Sequence, residues 1–457
     1  MIATRRSAAA QRLLALAAAA GLIVTAANAA AAQRETAPPV LALDRAIALA
    51  RQQNRPLQAA RLDVDSATRE IETFRAQRKP LFDVKVGTGT LVAPLSFRFA
   101  EGVFGTLPAT GPIPPSDVTI TTNPRISTVV FASVIQPLTQ LPRIGHGVTA
   151  AELGAQVAAE QVRLQEATLV ANVRKAYYAI VQAESAMRAR EESLRYAREL
   201  LRLTEQYEAQ RVALPADLIA ARAGVEEQQQ QAAISGRAAD GYREQLNLLL
   251  GRDVDEAFTA EPFRPAAPSE VQIDAAESMA IAARPEVRIA RLQARRAEAG
   301  LAAAKTPGMP DLSVAFEYTG FYGFEVLPHH GALFGVLATW EPWDWGRRKA
   351  ERERARLRQE QAALAATEVE AMVRVDVRAR FRALQDAFAM LVISDGTRAA
   401  ASERLRVATE RFMQDAALHR DVLEAQARLA GADAARELAV GNYWSARAEF
   451  ERARADQ

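Results

Sequence analysis

The chain has 457 residues, of which 49% are hydrophobic and 25% charged, a balance typical of a packed protein and not of a disordered one. Its formal net charge of +2 gives no sign of a polyanion-binding surface, so nucleic acid is not an expected partner. With no cysteine, a disulfide framework, a thiolate metal site, a cysteine nucleophile and a lipid-modified N-terminal cysteine are all excluded.

Residues 1–32 read as a secretory signal peptide. Arg5, Arg6 and Arg12 form a positive region, and Leu13 to Ala27 is apolar. Small residues then offer cleavage after Ala29 or after Ala32. The apolar run is short and dominated by Ala, whereas a membrane span needs about 20 apolar residues. No later segment is a candidate helical span, so membrane insertion is expected to use β-strands.

A helix is expected from Leu43 to Lys79, softly interrupted at Pro56 and stopped by Pro80. Residues 81–93 alternate apolar with polar or small side chains and predict a strand. Pro94 to Pro124 is rich in Pro, Gly, Thr and Ser and reads as a long surface loop. A second strand is expected over 126–135, followed by a turn at Pro142–Gly147 and a helical hairpin over about 148–250. Within it, Val173, Ile180, Met187, Leu194 and Leu201 recur every seven residues, with Ala176, Ala183, Arg190, Ala197 and Thr204 three positions later. A seven-residue seam winds on a partner helix. A continuous helix over 155–214 would be roughly 90 Å long.

Residues 252–274 read as an irregular linker, after which the programme repeats over 275–457. A helix over 275–305 precedes strands at about 312–324 and 332–339 and a second hairpin at about 346–454. An offset of 204 carries Val173 to Val377, Ile180 to Leu384, Met187 to Leu391 and Asp217 to Asp421, with Arg398 opposite Leu194 as the one break. An offset of 230 carries Pro80 to Pro310. The chain is therefore read as a duplicated helix–strand–strand–long helix–helix unit, with a first repeat over 33–251.

Four strands cannot close a barrel, for which about eight is the usual minimum. Three chains sharing strands would supply twelve. Aromatics at the strand ends, such as Phe82, Phe131, Phe316, Tyr318, Trp340 and Trp343, suit a lipid-facing girdle or an ordinary soluble hairpin patch.

Several stretches resemble the TolC-like outer-membrane efflux protein family. Leu43 to Ala50 with Asn54 and Pro56 is similar to that family's opening helix. Gln136-Pro137-Leu138 and Glu341 to Arg348 are similar to its strand-to-helix junctions, and Ala176-Tyr177-Tyr178 to its helix signature. Tyr207-Glu208-Ala209 and Arg411-Phe412, followed by Asp217-Leu218 and Asp421-Val422-Leu423, resemble its hairpin tips. The order holds twice, along nearly the whole mature length. The resemblance implies a mostly α homotrimer with a twelve-stranded outer-membrane β-barrel and a periplasmic α-helical barrel. It implies the exit duct of a tripartite efflux or type I secretion system, working passively with a periplasmic adaptor and an inner-membrane pump.

The resemblance also implies the sites. Asp421 and Glu424, with Asp217 in the first tip, stand where the family has an acidic pore constriction. As plain residues, Asp421 would cap the return helix and Glu424 would be a solvated first-turn acid. Gln210, Arg211, Val212, Ala213 and Leu214, and Asp415, Ala416, Ala417 and Leu418, would form the tips that meet the adaptor. Gln210 and Asp415 stand where the family has Gly, and Ala417 replaces its basic latch residue. His329-His330 and His419 read as solvated loop residues. No Gly-rich phosphate loop, nucleophile elbow or catalytic carboxylate pair is present, so neither enzyme nor cofactor is expected. A periplasmic coiled-coil adaptor is the alternative, but it would carry one hairpin within β-rich sequence, not two.

Overall fold

A computed structural model describes residues 39–455, apart from 91, 95, 122–125, 212–213, 263–271, 307–309, 325–327, 415 and 417–418. The signal peptide lies outside the described residues, as do residues 263–271 of the expected linker.

The elements run as follows. β1 (Val40–Leu41) leads into α1 (Leu43–Gln53) and α2 (Arg55–Ala76). β2 (Leu81–Thr90) is followed by the short strands β3 (Ser96–Phe99), β4 (Thr106–Leu107), β5 (Gly111–Pro112) and β6 (Val118–Thr121), then by β7 (Ile126–Pro137). The long helix α3 (Leu141–Ala209) precedes α4 (Pro215–Leu250) and β8 (Thr259–Ala260). The second half contains α5 (Ile273–Ala283), α6 (Pro285–Lys305), β9 (Asp311–Tyr322), β10 (His330–Thr339), α7 (Arg347–Met413) and α8 (His419–Ala453).

The structure differs from the sequence reading at four places. The opening helix is two helices, because Asn54 leaves the helical backbone (ψ 117°) and sends its side-chain amide 2.9 Å to the Leu249 carbonyl. Arg284 makes the matching break in the second half at ψ 131°, as the steric demand of the following Pro285 requires. Residues 142–147, expected as a turn, are the first turns of α3, where Pro142 occupies a position whose N–H has no helical partner to lose. The expected loop over 94–124 contains two antiparallel ladders, β3 with β6 and β4 with β5.

The chain divides into two compact units. The sheet unit comprises residues 56–167, 271–380 and the C-terminal residues from 451. Its sheet has the order β10-β9-β7-β2, antiparallel throughout. Arg75 pairs with Glu152 at 2.7 Å and ties α2 to α3, while Arg291 and Glu370 at 2.7 Å tie α6 to α7. Val287 and Val377 are fully buried.

The hairpin unit comprises the described residues up to Arg55 together with 168–270 and 381–450. β1 and β8 pair in parallel. The Tyr177 hydroxyl donates to the Leu41 carbonyl at 2.8 Å and accepts the Glu261 N–H at 2.7 Å, pinning this small sheet to α3. Burial pushes the Tyr177 hydroxyl up to about 12, with its acidic neighbours adding to the rise. Gly251 ends α4 at φ +74°, and a Cβ there would stand 2.3 Å from the Gln53 carbonyl oxygen, so only glycine closes this corner.

The return helices pair with the long ones in a seven-residue ladder. Phe381 lies against Phe450 at 5.5 Å between ring centroids, Phe388 against Tyr443 at 5.9 Å, and Asp395 against Arg436 at 2.6 Å. Seven residues along α7 thus match seven back along α8, the antiparallel form of the heptad seam. Arg398, the break in the sequence seam, meets Asp433 at 2.6 Å in the same register. In the first hairpin Glu184 meets Arg243 at 2.8 Å, and Glu205 meets Arg222 at 3.5 Å. These pairs are three seven-residue steps apart on both helices.

Candidate functional site

Two regions carry functional geometry, the sheet and the hairpin tips. The pairing register sorts the sheet into two unlike faces, since side chains alternate along a strand. On one face Phe82, Val134, Phe316 and Phe334 form a row across all four strands. The next row is Val84, Ala132, Tyr318 and Ala332. The opposite face carries Asp83, Ser133, Glu317 and Leu333 in one row and Lys85, Phe131, Thr319 and Gly331 in the next. Asp83 and Lys85 pair there at 3.2 Å.

The apolar face is bare. Phe82 is 73% exposed, Val84 68% and Phe334 75%. In water such a contiguous apolar surface is a liability. Both edges are open as well, because β2 pairs only with β7 and β10 only with β9 among the described residues. Aromatics mark both ends of the strands. Phe321 and Phe324 meet edge-to-face at 6.0 Å at one end, and Trp340 and Trp343 stand exposed beyond β10 at the other. Among the described residues no helix is long and apolar enough to cross a membrane.

At the first tip, α3 ends at Ala209 with the Arg211 N–H bonded to the Glu208 carbonyl at 2.8 Å. The residue in the left-handed conformation is Arg211 at φ +59°, one position after Gln210, which stands where the resembled family has Gly. Gln210, Arg211 and Leu214 are exposed. Val212 and Ala213 lie outside the described residues. At the second tip the Ala416 N–H reaches back to the Arg411 carbonyl at 2.8 Å, closing the helix end. Ala416 is exposed, and Asp415, Ala417 and Leu418 lie outside the described residues.

Asp217 and Asp421 occupy equivalent places in the two hairpins. Asp217 is the third residue of α4 and Asp421 the third of α8, so neither is the residue that precedes and caps its helix. First-turn carboxylates are favoured there by the helix dipole. Asp421 is half-buried, whereas Glu424 is exposed and bonded to Arg428 at 2.6 Å one turn on. Glu424 is therefore partly neutralised by its own helix. His329 and His330 are exposed.

Sequence reasoning missed one buried cluster in the sheet unit. Arg284 is 6% exposed and donates to Asp376 and Glu286 at 2.8 Å each, and Arg380 reaches Asp376 at 3.2 Å. Burial works against each charge, but Arg284 and Arg380 hold the Asp376 carboxyl below the usual carboxylate range. Arg284 likewise holds that of Glu286 low. The available signal was the duplication itself: the offset of 230 carries the neutral Asn54 to the charged Arg284.

The chain carries a four-stranded sheet with one apolar face, one mixed polar face and two edges open among the described residues, together with long helical hairpins. Solved outer-membrane channels share this fold. The fold is similar to a membrane protein from Pseudomonas aeruginosa at TM-score 0.73 and 20% identity, over 90% of each chain. It is similar to the CmeC outer membrane channel of Campylobacter jejuni at TM-score 0.73 and 15% identity, over 91% of this chain and 85% of that one. The outer membrane protein VceC of Vibrio cholerae gives TM-score 0.69 at 15% identity, over 90% and 95%. Residues 46–252 match the family model described as Outer membrane efflux protein. The resemblance read from the sequence is borne out by that match. No curated protein sequence matches the chain.

Proposed function

We propose that three copies of this chain close their sheets into one twelve-stranded barrel and form the outer-membrane exit duct of a tripartite efflux or type I secretion system. The observation that carries this reading is the sheet, whose apolar face is bare and whose two edges are unpaired. Backbone groups at a sheet edge cannot remain unsatisfied in hydrocarbon, so only a closed barrel is stable there. Two copies would give eight strands, an interior filled by side chains, whereas twelve leave a lumen. In that barrel the face with Asp83, Lys85, Ser133 and Glu317 lines the lumen.

A stripe on α7 supports a contact between copies. Leu357, Leu364, Met372 and Val375 are exposed on the part of α7 that belongs to the sheet unit, and a neighbouring copy would cover them. Transport through the duct is passive, with energy supplied by an inner-membrane pump. A periplasmic adaptor meets the tips around Gln210, Arg211, Leu214 and Ala416. Asp421, Glu424 and Asp217 form the constriction, where three-fold repetition gathers like charges and filters cations.

Membrane fractionation and planar-bilayer recording test this. The protein is expected in the outer membrane as a heat-modifiable oligomer that conducts ions. A soluble periplasmic monomer would refute the duct.

A further inference from the structure

Residues 96–121 form a narrow ribbon between β2 and β7. β3 and β6 pair over four residues, and beyond them the Phe104 N–H donates to the Ile113 carbonyl and the Ile113 N–H to the Gly105 carbonyl, both at 2.9 Å. The base is clamped by Asp117, which accepts the Glu101 N–H at 3.0 Å and Arg98 at 2.9 Å. Phe99 and Phe104 rings meet at 5.3 Å. The far half of the ribbon is apolar and bare: Phe104 is 67% exposed, and Val103, Leu107 and Ile113 are exposed beside it. A two-stranded ribbon is marginal by itself in water, and exposed apolar side chains at its tip make that worse. Something must cover them.

Resting on the barrel reading above, we propose that each ribbon packs through Val103, Phe104, Leu107 and Ile113 against the ribbon of a neighbouring copy and narrows the outer mouth of the barrel. Two features select a second copy as the occupant. The ribbon follows β2 in the chain, and β2 is the strand whose open edge has to be paired by the next copy. The corresponding connection between β9 and β10, residues 323–329, is far shorter, leaving one ribbon per copy. Charge argues against a lipid surface. The ribbon's cation is Arg98, and it is already paired with Asp117, so an anionic headgroup layer finds no spare positive charge over 96–121.

Because the chain has no cysteine, single cysteines report cleanly. Leu107→Cys, treated with a short bis-maleimide in intact outer membranes, is expected to yield covalent dimers on denaturing gels, and Ser96→Cys at the base is not. Replacing residues 103–113 with a short Gly-Ser turn is expected to raise single-channel conductance about twofold, since an apolar constriction limits flow. An intact oligomer with no cross-link at Leu107→Cys and unchanged conductance in the shortened variant overturns the proposal while leaving the duct standing. A monomeric wild-type protein overturns both.

Discussion

The two faces of the sheet can be tested by exchanging neighbours on one strand. Val84 lies in the middle row of the apolar face and Lys85 is the next residue, on the polar face. The exchange Val84→Lys with Lys85→Val keeps composition and net charge constant and moves one ammonium from one face to the other. Lysine at the lipid-facing midplane of a barrel costs about 2–4 kcal/mol. Loss of the exposed Lys85–Asp83 pair adds about 0–1 kcal/mol. Lys85→Val alone isolates that smaller effect. In the proposed barrel of three copies the cost is roughly 6–12 kcal/mol per assembly, a large loss of stability in the membrane. The assay is urea unfolding in lipid vesicles, read as loss of the heat-modifiable band. A shifted midpoint for the exchange and a near-normal one for Lys85→Val are expected. Equal midpoints, or improved solubility without lipid, would refute the assignment of the faces.

Further expectations concern buried polar groups and the tip. Tyr177→Phe removes a hydroxyl that serves both the Leu41 carbonyl and the Glu261 N–H, for an expected loss of about 1–3 kcal/mol in denaturant unfolding. The Tyr177 pKa is raised from 10 to about 12, so its contribution is present in full below pH 10 and is lost as pH rises through 12. Wild type should therefore lose stability more steeply than Tyr177→Phe across that window. Arg284→Met strands the partly buried carboxylates of Asp376 and Glu286 and should cost about 3–5 kcal/mol, with partial recovery when Asp376→Asn is added. The two carboxyls are held low, so the cluster's contribution is present above the ordinary carboxylate range and fades as pH falls through their folded values. Asp421→Ala with Glu424→Ala should raise single-channel conductance and weaken block by multivalent cations, and unchanged conductance would remove these residues from the constriction.

Much of the architecture is legible from period alone. Alternation over 81–90 and 311–322 marks strands because a strand shows unlike environments to successive side chains. The seam at Val173 and Ile180 marks a paired helix, and both residues are fully buried. The seam is less legible lower down, where Leu194, Leu201 and Leu405 are only half-buried and ion pairs such as Arg398–Asp433 take over the contact. The ribbon over 96–121 was hidden because two- and four-residue strands rich in Gly and Pro have no period to detect. The break at Arg284 was hidden for a different reason. Pro285 signals a helix start, but nothing local says that the preceding arginine is buried against Asp376, ninety-two positions away. At the first tip, Gln210 stands where the resembled family has Gly, and the backbone has its left-handed residue one position on, at Arg211. A cap lengthens or shortens by one residue without changing composition, so pattern alone does not settle it.

The central claim is that the open edges of β2 and β10 are closed by other copies of the chain. Native mass spectrometry of the protein extracted from outer membranes in mild detergent measures that directly. The account predicts a single species of three chains that dissociates only on denaturation. A stable, folded single chain under the same conditions would contradict it.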